Sequence, residues 1–294
     1  MIHNDVLRSV RYMLDISDKK VIEIIKLGGM DVALADLVSY LDKKEEDEEG
    51  FVRCPDEVMA HFLDGLVIFK RGKDESRPPQ PIEVPVTNNI ILKKLRVAFE
   101  LKEDDIVVIG SYYALNPVLR EKVLELLDRA REKKAIIYYD PNFRSSHKEE
   151  AIKLAPTIIE NLEYADIVRG SQEDFFHMYN LRDADKIYRD KIKFYCPNFL
   201  CTAGAEKITL RTGSVSKEYD IPPLEAVSTI GAGDNFNAGI IYGLLKHDIR
   251  YDDLNGISEA KWDEIIRYGM EFAAEVCKSY SNSVSNEFAE RYRY

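Results

Sequence analysis

Ser228-Thr229-Ile230-Gly231-Ala232-Gly233-Asp234-Asn235-Phe236-Asn237-Ala238-Gly239 is the stretch from which the rest of the chain is read. The small residues Gly231, Ala232 and Gly233 let backbone N–H groups converge at the start of a helix reaching about Lys246. Such a helix start holds an anion. Asp234 falls in the first turn, where a carboxylate near a bound phosphate suits the base that takes a proton from an attacking hydroxyl. The spacing predicts phosphoryl transfer, although a glycine-tolerant turn ahead of a packed helix accounts for the segment taken alone. Other phosphate motifs are excluded. No G-x-x-x-x-G-K-[ST] string occurs, and Phe236 stands where a dinucleotide fingerprint needs its third glycine. The H-R-D and D-F-G strings of protein kinases are also absent.

Upstream and downstream of this stretch the pattern alternates regularly. Strands are expected near 106–111, 135–139, 166–169 and 199–202, with an antiparallel pair over 206–221. Helices are expected near 117–133, 148–162, from Ser171, from Gly231 and near 261–280. This succession predicts a three-layer α/β sheet with ligands at the carboxyl ends of its strands. Asp140-Pro141-Asn142-Phe143-Arg144 follows the apolar run Ala135–Tyr139. It puts a carboxylate, an amide and a guanidinium at such an end, unless the segment is only a capped turn into the next helix. Ser171-Gln172-Glu173-Asp174 reads either as a polar ligand-side segment or as an N-cap serine with acidic first-turn residues. Thr202-Ala203-Gly204 closes the strand that follows.

Taken together, residues from about Asp105 to Tyr292 resemble the PfkB/ribokinase family of carbohydrate kinases, whose C-terminal signature is D-T-x-G-A-G-D. Thr229, Gly231, Ala232, Gly233 and Asp234 match it, with Ser228 in place of the leading Asp. The resemblance implies a ribokinase-like fold, ATP and Mg²⁺ as cofactors, and transfer of phosphate to a hydroxyl of a small-molecule sugar or sugar derivative. It makes Asp234 the base and Gly231, Ala232 and Gly233 the anion hole. Asp140, Asn142 and Arg144 match the D-x-N-x-R of sugar and sugar-acid kinases and are expected to contact substrate or phosphate. Thr202 and Gly204 resemble the T-x-G of the nucleotide turn, with Thr229 beside it, although Lys207 stands where a second glycine is common. Ser171 and Asp174 occupy the family's N-x-x-E, with Ser and Asp replacing Asn and Glu, which gives Asp174 a weak metal role. The family's G-G-x-x-x-N segment and small β lid have no counterpart here, so an N-terminally truncated kinase part over 107–294 is expected. A truncated sheet is expected to leave a hydrophobic edge around Ile106–Ile109.

Residues 1–106 follow another pattern. Apolar residues recur at three- and four-residue spacing: Val6, Val10, Leu14; Val21, Ile24, Ile25; Leu34, Leu37, Val38, Leu41; and Val58, Phe62, Leu66. An all-α module is predicted. Within it Asn4, Leu7, Arg8, Arg11, Leu14, Ile16, Asp18 and Val21 recur, at an offset of 85, as Asn89, Leu92, Lys93, Arg96, Phe99, Leu101, Glu103 and Ile106. The first copy is complete, while the second breaks off near 101–107 as a strand pattern begins. The segments N-D-V-L-R-S-V-R-Y and F-L-D-G-L-V-I-F-K-R-G-K-D-E-S resemble the YehS-type family, bacterial proteins of unknown function built from two such repeats.

Charge and composition exclude several classes. Sixteen basic against 22 acidic residues through 106, and 25 against 30 beyond, divide the net −11 into −6 and −5. No nucleic-acid partner is expected from two acidic parts. Lys70-Arg71-Gly72-Lys73 reads as a solvated helix end, Asp42–Glu49 as a polar loop and Ser76–Pro85 as a linker. No apolar run approaches eighteen residues and no signal peptide precedes the chain, so a cytoplasmic protein without a membrane partner is expected. Cys54, Cys196, Cys201 and Cys277 lack any C-x-x-C spacing and read as reduced, buried thiols. The five histidines show no metal-ligand spacing. A homo-oligomer stays open. The expectations reduce to two: a carbohydrate kinase joined to a helical module, or a non-catalytic nucleotide-binding or interaction hybrid.

Overall fold

A computed structural model describes the chain except residues 1, 45, 47, 74–80, 103 and 294. Glu103 of the internal repeat, the 76–80 half of the proline-rich linker and two residues of the acidic loop lie outside the described residues. The chain divides into two compact units, Met1–Glu100 and Leu101–Tyr294.

Among the described residues the first unit holds five helices: α1 (His3–Met13), α2 (Asp18–Leu27), α3 (Leu34–Leu41), α4 (Asp56–Arg71) and α5 (Asn88–Ala98). The apolar stripes meet in one core of Val6, Leu7, Val10, Val21, Ile24, Ile25, Leu37, Phe62 and Leu66, joined by Ile91 of α5. Helices α2 and α4 cross with their backbones in contact. A Cβ on Gly28 would lie 1.9 Å from the His61 carbonyl oxygen, and one on Gly65 would lie 1.8 Å from that of Ile24. Gly28 therefore serves helix crossing. Buried Asn4 gives its amide protons to the carbonyls of Tyr40 (3.0 Å) and Val52 (2.9 Å) and accepts the Cys54 N–H (2.9 Å). Three otherwise unsatisfied main-chain groups are closed by one side chain.

The partial second repeat has a visible consequence. Leu7 is fully buried, whereas its counterpart Leu92 on α5 is 59% exposed, because the helices that would cover it have no second copy. The basic tetrapeptide ends α4, and Arg71 donates to the carbonyls of Val97 and Glu100 at the end of α5. Those are orphan carbonyls of a helix terminus.

The second unit holds β1 (Ile106–Gly110), α6 (Arg120–Glu132), β2 (Ile136–Asp140), α7 (Ala151–Tyr164), β3 (Ile167–Ser171), α8 (Gln172–Tyr179), the short α9 (Ala184–Ile187), β4 (Asn198–Thr202), β5 (Lys207–Arg211), β6 (Ser216–Asp220), α10 (Ala232–Lys246), α11 (Glu259–Val276) and α12 (Asn286–Arg291). The sheet order is β1-β2-β3-β4-β5-β6. The first four strands are parallel and the last two antiparallel. Strand alternation divides the core. Val107, Ile109, Ile137, Tyr139, Val168 and Phe199 join the side chains of α6 and α7 on one face. Ile136, Tyr138, Ile167, Leu200, Ile208 and Leu210 join α10 and α11 on the other. The expected three layers follow from this two-residue period.

Helix α6 starts three residues later than its periodicity suggests, because Asn116 accepts the Val118 N–H and holds a turn ahead of it. Strand β1 pairs only with β2 among the described residues, and Val108 is 50% exposed. No helix of the described residues is long and apolar enough to cross a membrane.

The junction of β2 and β3 carries a titrating group. Asp166 accepts the Ile137 N–H (2.8 Å), and burial pushes its carboxyl up to about 6 against the hydrogen bond and Arg131, which work the other way. The folded chain thus holds this proton more tightly than the unfolded chain does. Stability from Asp166 is complete below about pH 4 and is lost as pH rises to about 6, by on the order of 2 kcal/mol. In Asp166→Asn, which keeps an acceptor, the melting temperature should lose that part of its pH dependence over the same window. At the helix crossing, Gly65→Ala should lower stability by about 3 kcal/mol, measured as an earlier transition in denaturant.

Candidate active site

The start of α10 is shaped by one backbone angle. Gly231 adopts φ 81°, ψ −3°, a left-handed conformation costly to any residue with a Cβ, and it caps the helix without a side-chain hydrogen bond. The loop before it is tied down by the Val227 N–H donating to the Cys277 carbonyl (2.8 Å). Asn235 donates to the carbonyls of Gly231 (2.9 Å) and Asn282 (3.1 Å), bracing the turn from within the helix. One expected donor is already used: the Ala232 N–H donates to the Thr229 carbonyl (3.2 Å). The expected anion hole is corrected accordingly. Gly231, Gly233 and Asp234 carry the main-chain N–H groups without a partner among the described residues, as geometry requires of a first helical turn. The Asp234 carboxylate is exposed and makes no hydrogen bond or ion pair with any described residue. A carboxylate beside open amides and a helix dipole can receive an anion on one side and a proton on the other.

Beneath this turn runs a buried polar chain. The Tyr138 hydroxyl donates to Asn237 Oδ1 (2.9 Å), and Asn237 Nδ2 donates to Asp140 Oδ2 (2.6 Å). Arg169 Nη1 donates to the same oxygen (2.9 Å), and Arg169 Nη2 donates to Thr202 Oγ1 (3.0 Å). Asp140 Oδ1 accepts the Asn142 N–H (3.1 Å). Asp140 was expected to contact a ligand. Instead it is 6% exposed with both oxygens engaged inside the protein, because a buried guanidinium demands a counter-charge. Burial disfavours the charge on Arg169, but Asp140, with Tyr138 and Asp174, more than offsets that, and the Arg169 pKa is raised. Burial pushes the Tyr138 hydroxyl far up, so it remains a hydrogen-bond donor.

Arg169 is the residue that motif reading missed. Its signal was a lone basic residue inside Ile167-Val168-Arg169-Gly170-Ser171, where a strand buried on both faces has no use for charge without a partner. The guanidinium lies 5.4 Å from the centroid of Phe236, and its Nη1 would be 3.3 Å from a Cβ at position 233. Asp140, Thr202 and the Gly233 turn, far apart in sequence, thus meet around one side chain.

The side chains of the remaining candidates make no hydrogen bond to Arg169 or Asp140 among the described residues. Arg144 is exposed and unpaired among the described residues, and Asn142 sits partly buried at φ 41°. Gly204, at φ 56°, faces open space, and Thr229 is exposed. Asp174 closes a capping box, accepting from the Ser171 N–H (2.7 Å) and Oγ (2.6 Å). Burial raises its pKa in spite of those bonds. Its carboxylate is engaged in helix capping, and no group of three or more His, Cys, Asp or Glu among the described residues is placed to hold a metal ion. An all-protein Mg²⁺ cage is therefore not formed by the described residues.

Comparison with known proteins agrees with both parts of this description. The model of the pfkB family of carbohydrate kinases matches residues 87–289, and that of a protein family of unknown function, DUF1456, matches residues 3–72. The uncharacterized protein YehS of Escherichia coli K12 is 50% identical over 109 residues, 37% of this chain and 69% of YehS. The 5-dehydro-2-deoxygluconokinase of Clostridium beijerinckii is 23% identical over 234 residues, 71% of this chain and 67% of that enzyme. Among solved structures, the fructokinase of Vibrio cholerae O395, bound to fructose, ADP and calcium, superposes with a TM-score of 0.54 at 18% identity. The match covers 62% of this chain and 57% of that one. The chain therefore spans between half and two thirds of the length of these kinases, and the structural likeness speaks for the fold.

The left-handed cap can be isolated experimentally. Gly231→Ala should cost about 1–2 kcal/mol, whereas Gly231→Asn, which adds the same Cβ but tolerates positive φ, should cost less. Denaturant melts of the two variants give the difference.

Proposed function

The chain belongs to the pfkB family of carbohydrate kinases, with an N-terminal part that belongs to the YehS-like DUF1456 family, and on that premise we propose that it transfers phosphate from ATP to a hydroxyl of a sugar or sugar derivative. The observation that carries the proposal is the start of α10, where a glycine cap and open amides stand beside an unengaged carboxylate at position 234. When bound, ATP supplies the phosphoryl group. Gly231, Gly233 and Asp234 amides neutralise the charge that develops on the transferring oxygens. Asp234 accepts the proton of the attacking hydroxyl. Thr202, Gly204 and Thr229 face the nucleotide side, and Asn142 with Arg144 the acceptor side. Asp140 supports these groups from within. The kinase domain is taken to begin near 101–107 and the helical module to end there. Four buried, unpaired cysteines support a reducing, cytoplasmic location.

Nucleotide binding without transfer is the second reading, favoured by the occupation of Asp174 as a helix cap. Titration calorimetry with ATP and magnesium, followed by a phosphorylation screen over sugars, separates the two. Transfer to any sugar supports the kinase, and binding without transfer supports the alternative. In an active chain Asp234→Ala should lower turnover by about 10²–10⁴-fold with little change in nucleotide affinity. Near-normal turnover in that variant would remove Asp234 from the mechanism.

A further inference from the structure

Arg169 belongs to no motif, yet its side chain bonds Asp140 and Thr202 and packs behind the Gly233 turn. We propose that Arg169 is a positioning residue for phosphate binding: its two-pronged guanidinium holds the Asp140 segment, the Thr202 turn and the Gly231–Asp234 turn in a fixed mutual register. The proposal rests on the reading of the α10 start as a phosphate site.

Three observations support it. The fork is used as a fork, with Nη1 on Asp140 and Nη2 on Thr202, strands β2 and β4 being the two neighbours of β3. A lysine ammonium is a single point and cannot reproduce that planar bridge. The guanidinium also packs directly behind the turn, with Nη1 at 3.3 Å from where a Cβ of residue 233 would stand. A Cβ at position 233 would press on the guanidinium and force it to give by a few tenths of an ångström. Finally, the buried Nε–H has no acceptor among the described residues. An ion pair kept for stability alone is often replaceable by apolar packing at no loss, and leaving a buried donor unmet costs about 1–3 kcal/mol. The arrangement spends stability to keep a cation under the amides that would meet an anion.

The test uses the full chain and two probes, magnesium-ADP and inorganic phosphate, titrated by calorimetry alongside thermal melts. Arg169→Lys keeps the charge and most of the volume. It should weaken ADP binding at least about tenfold, the loss of one charge-assisted hydrogen bond. Amide hydrogen exchange at Asn235, whose N–H donates to the Gly231 carbonyl (2.9 Å), should speed up in the same variant. The double variant Asp140→Asn/Arg169→Met removes both buried charges. It should recover more of the melting temperature than Arg169→Met alone, while ADP affinity stays at least about tenfold weaker than wild type. Wild-type-like ADP binding by Arg169→Lys, or by the double variant, would overturn the positioning role and leave the phosphate site standing. Failure of the wild-type chain to bind either probe would instead remove the phosphate site, and the role of Arg169 with it.

Discussion

The buried pair of Arg169 and Asp140 sets the terms on which the second unit is built. A guanidinium at 6% exposure in the parallel part of the sheet is costly to bury without an acceptor at hand. Asp140, one strand over, answers that demand (2.9 Å). Its occupied oxygen then orients Asn237, Asn237 orients the Tyr138 hydroxyl, and helix α10 is locked in rotation against β2. The other prong fixes the Thr202 hydroxyl at the end of β4. A polar network of this kind is costly if half made and specific if complete. Here it sets the angle at which the first turn of α10 meets the ends of the strands.

The helical unit uses the same logic with less charge. Asn4 closes three main-chain groups that no helix could satisfy, and Gly28 with Gly65 lets two backbones touch. In both units the small or polar residue at a fixed place, more than the apolar stripe, decides the geometry. Apolar stripes tolerate sliding, whereas a glycine contact of under 2 Å to a built Cβ does not.

Much of this was legible in the residues. The alternation of Ile136, Ile137, Tyr138 and Tyr139 between two cores follows from a buried strand needing apolar groups on both faces. The G-A-G-D segment announced a helix start. Other assignments failed for a definite reason. Asp140 was expected to contact a ligand, and Asp174 stood either as a ligand-side carboxylate or as part of an N-cap, because a carboxylate in a motif says nothing about which way it points. A buried arginine turned one inward, and a capping serine claimed the other. Ala232 was counted among the anion-binding amides, but a turn bond to Thr229 used its N–H first.

Composition and local pattern by themselves determined that the chain joins an acidic helical module to an α/β unit, where the strands and most of the longer helices lie, and that a helix begins near residues 231–234. These are properties of neighbouring residues, carried by period, propensity and the freedom of glycine. Tertiary structure alone decided which polar groups are spent inside the protein and which are left to meet a ligand. Residues 138, 140, 169, 202 and 237 span a hundred positions of chain, and hydrogen bonds between them exist only once the sheet has brought its strands about 4.8 Å apart.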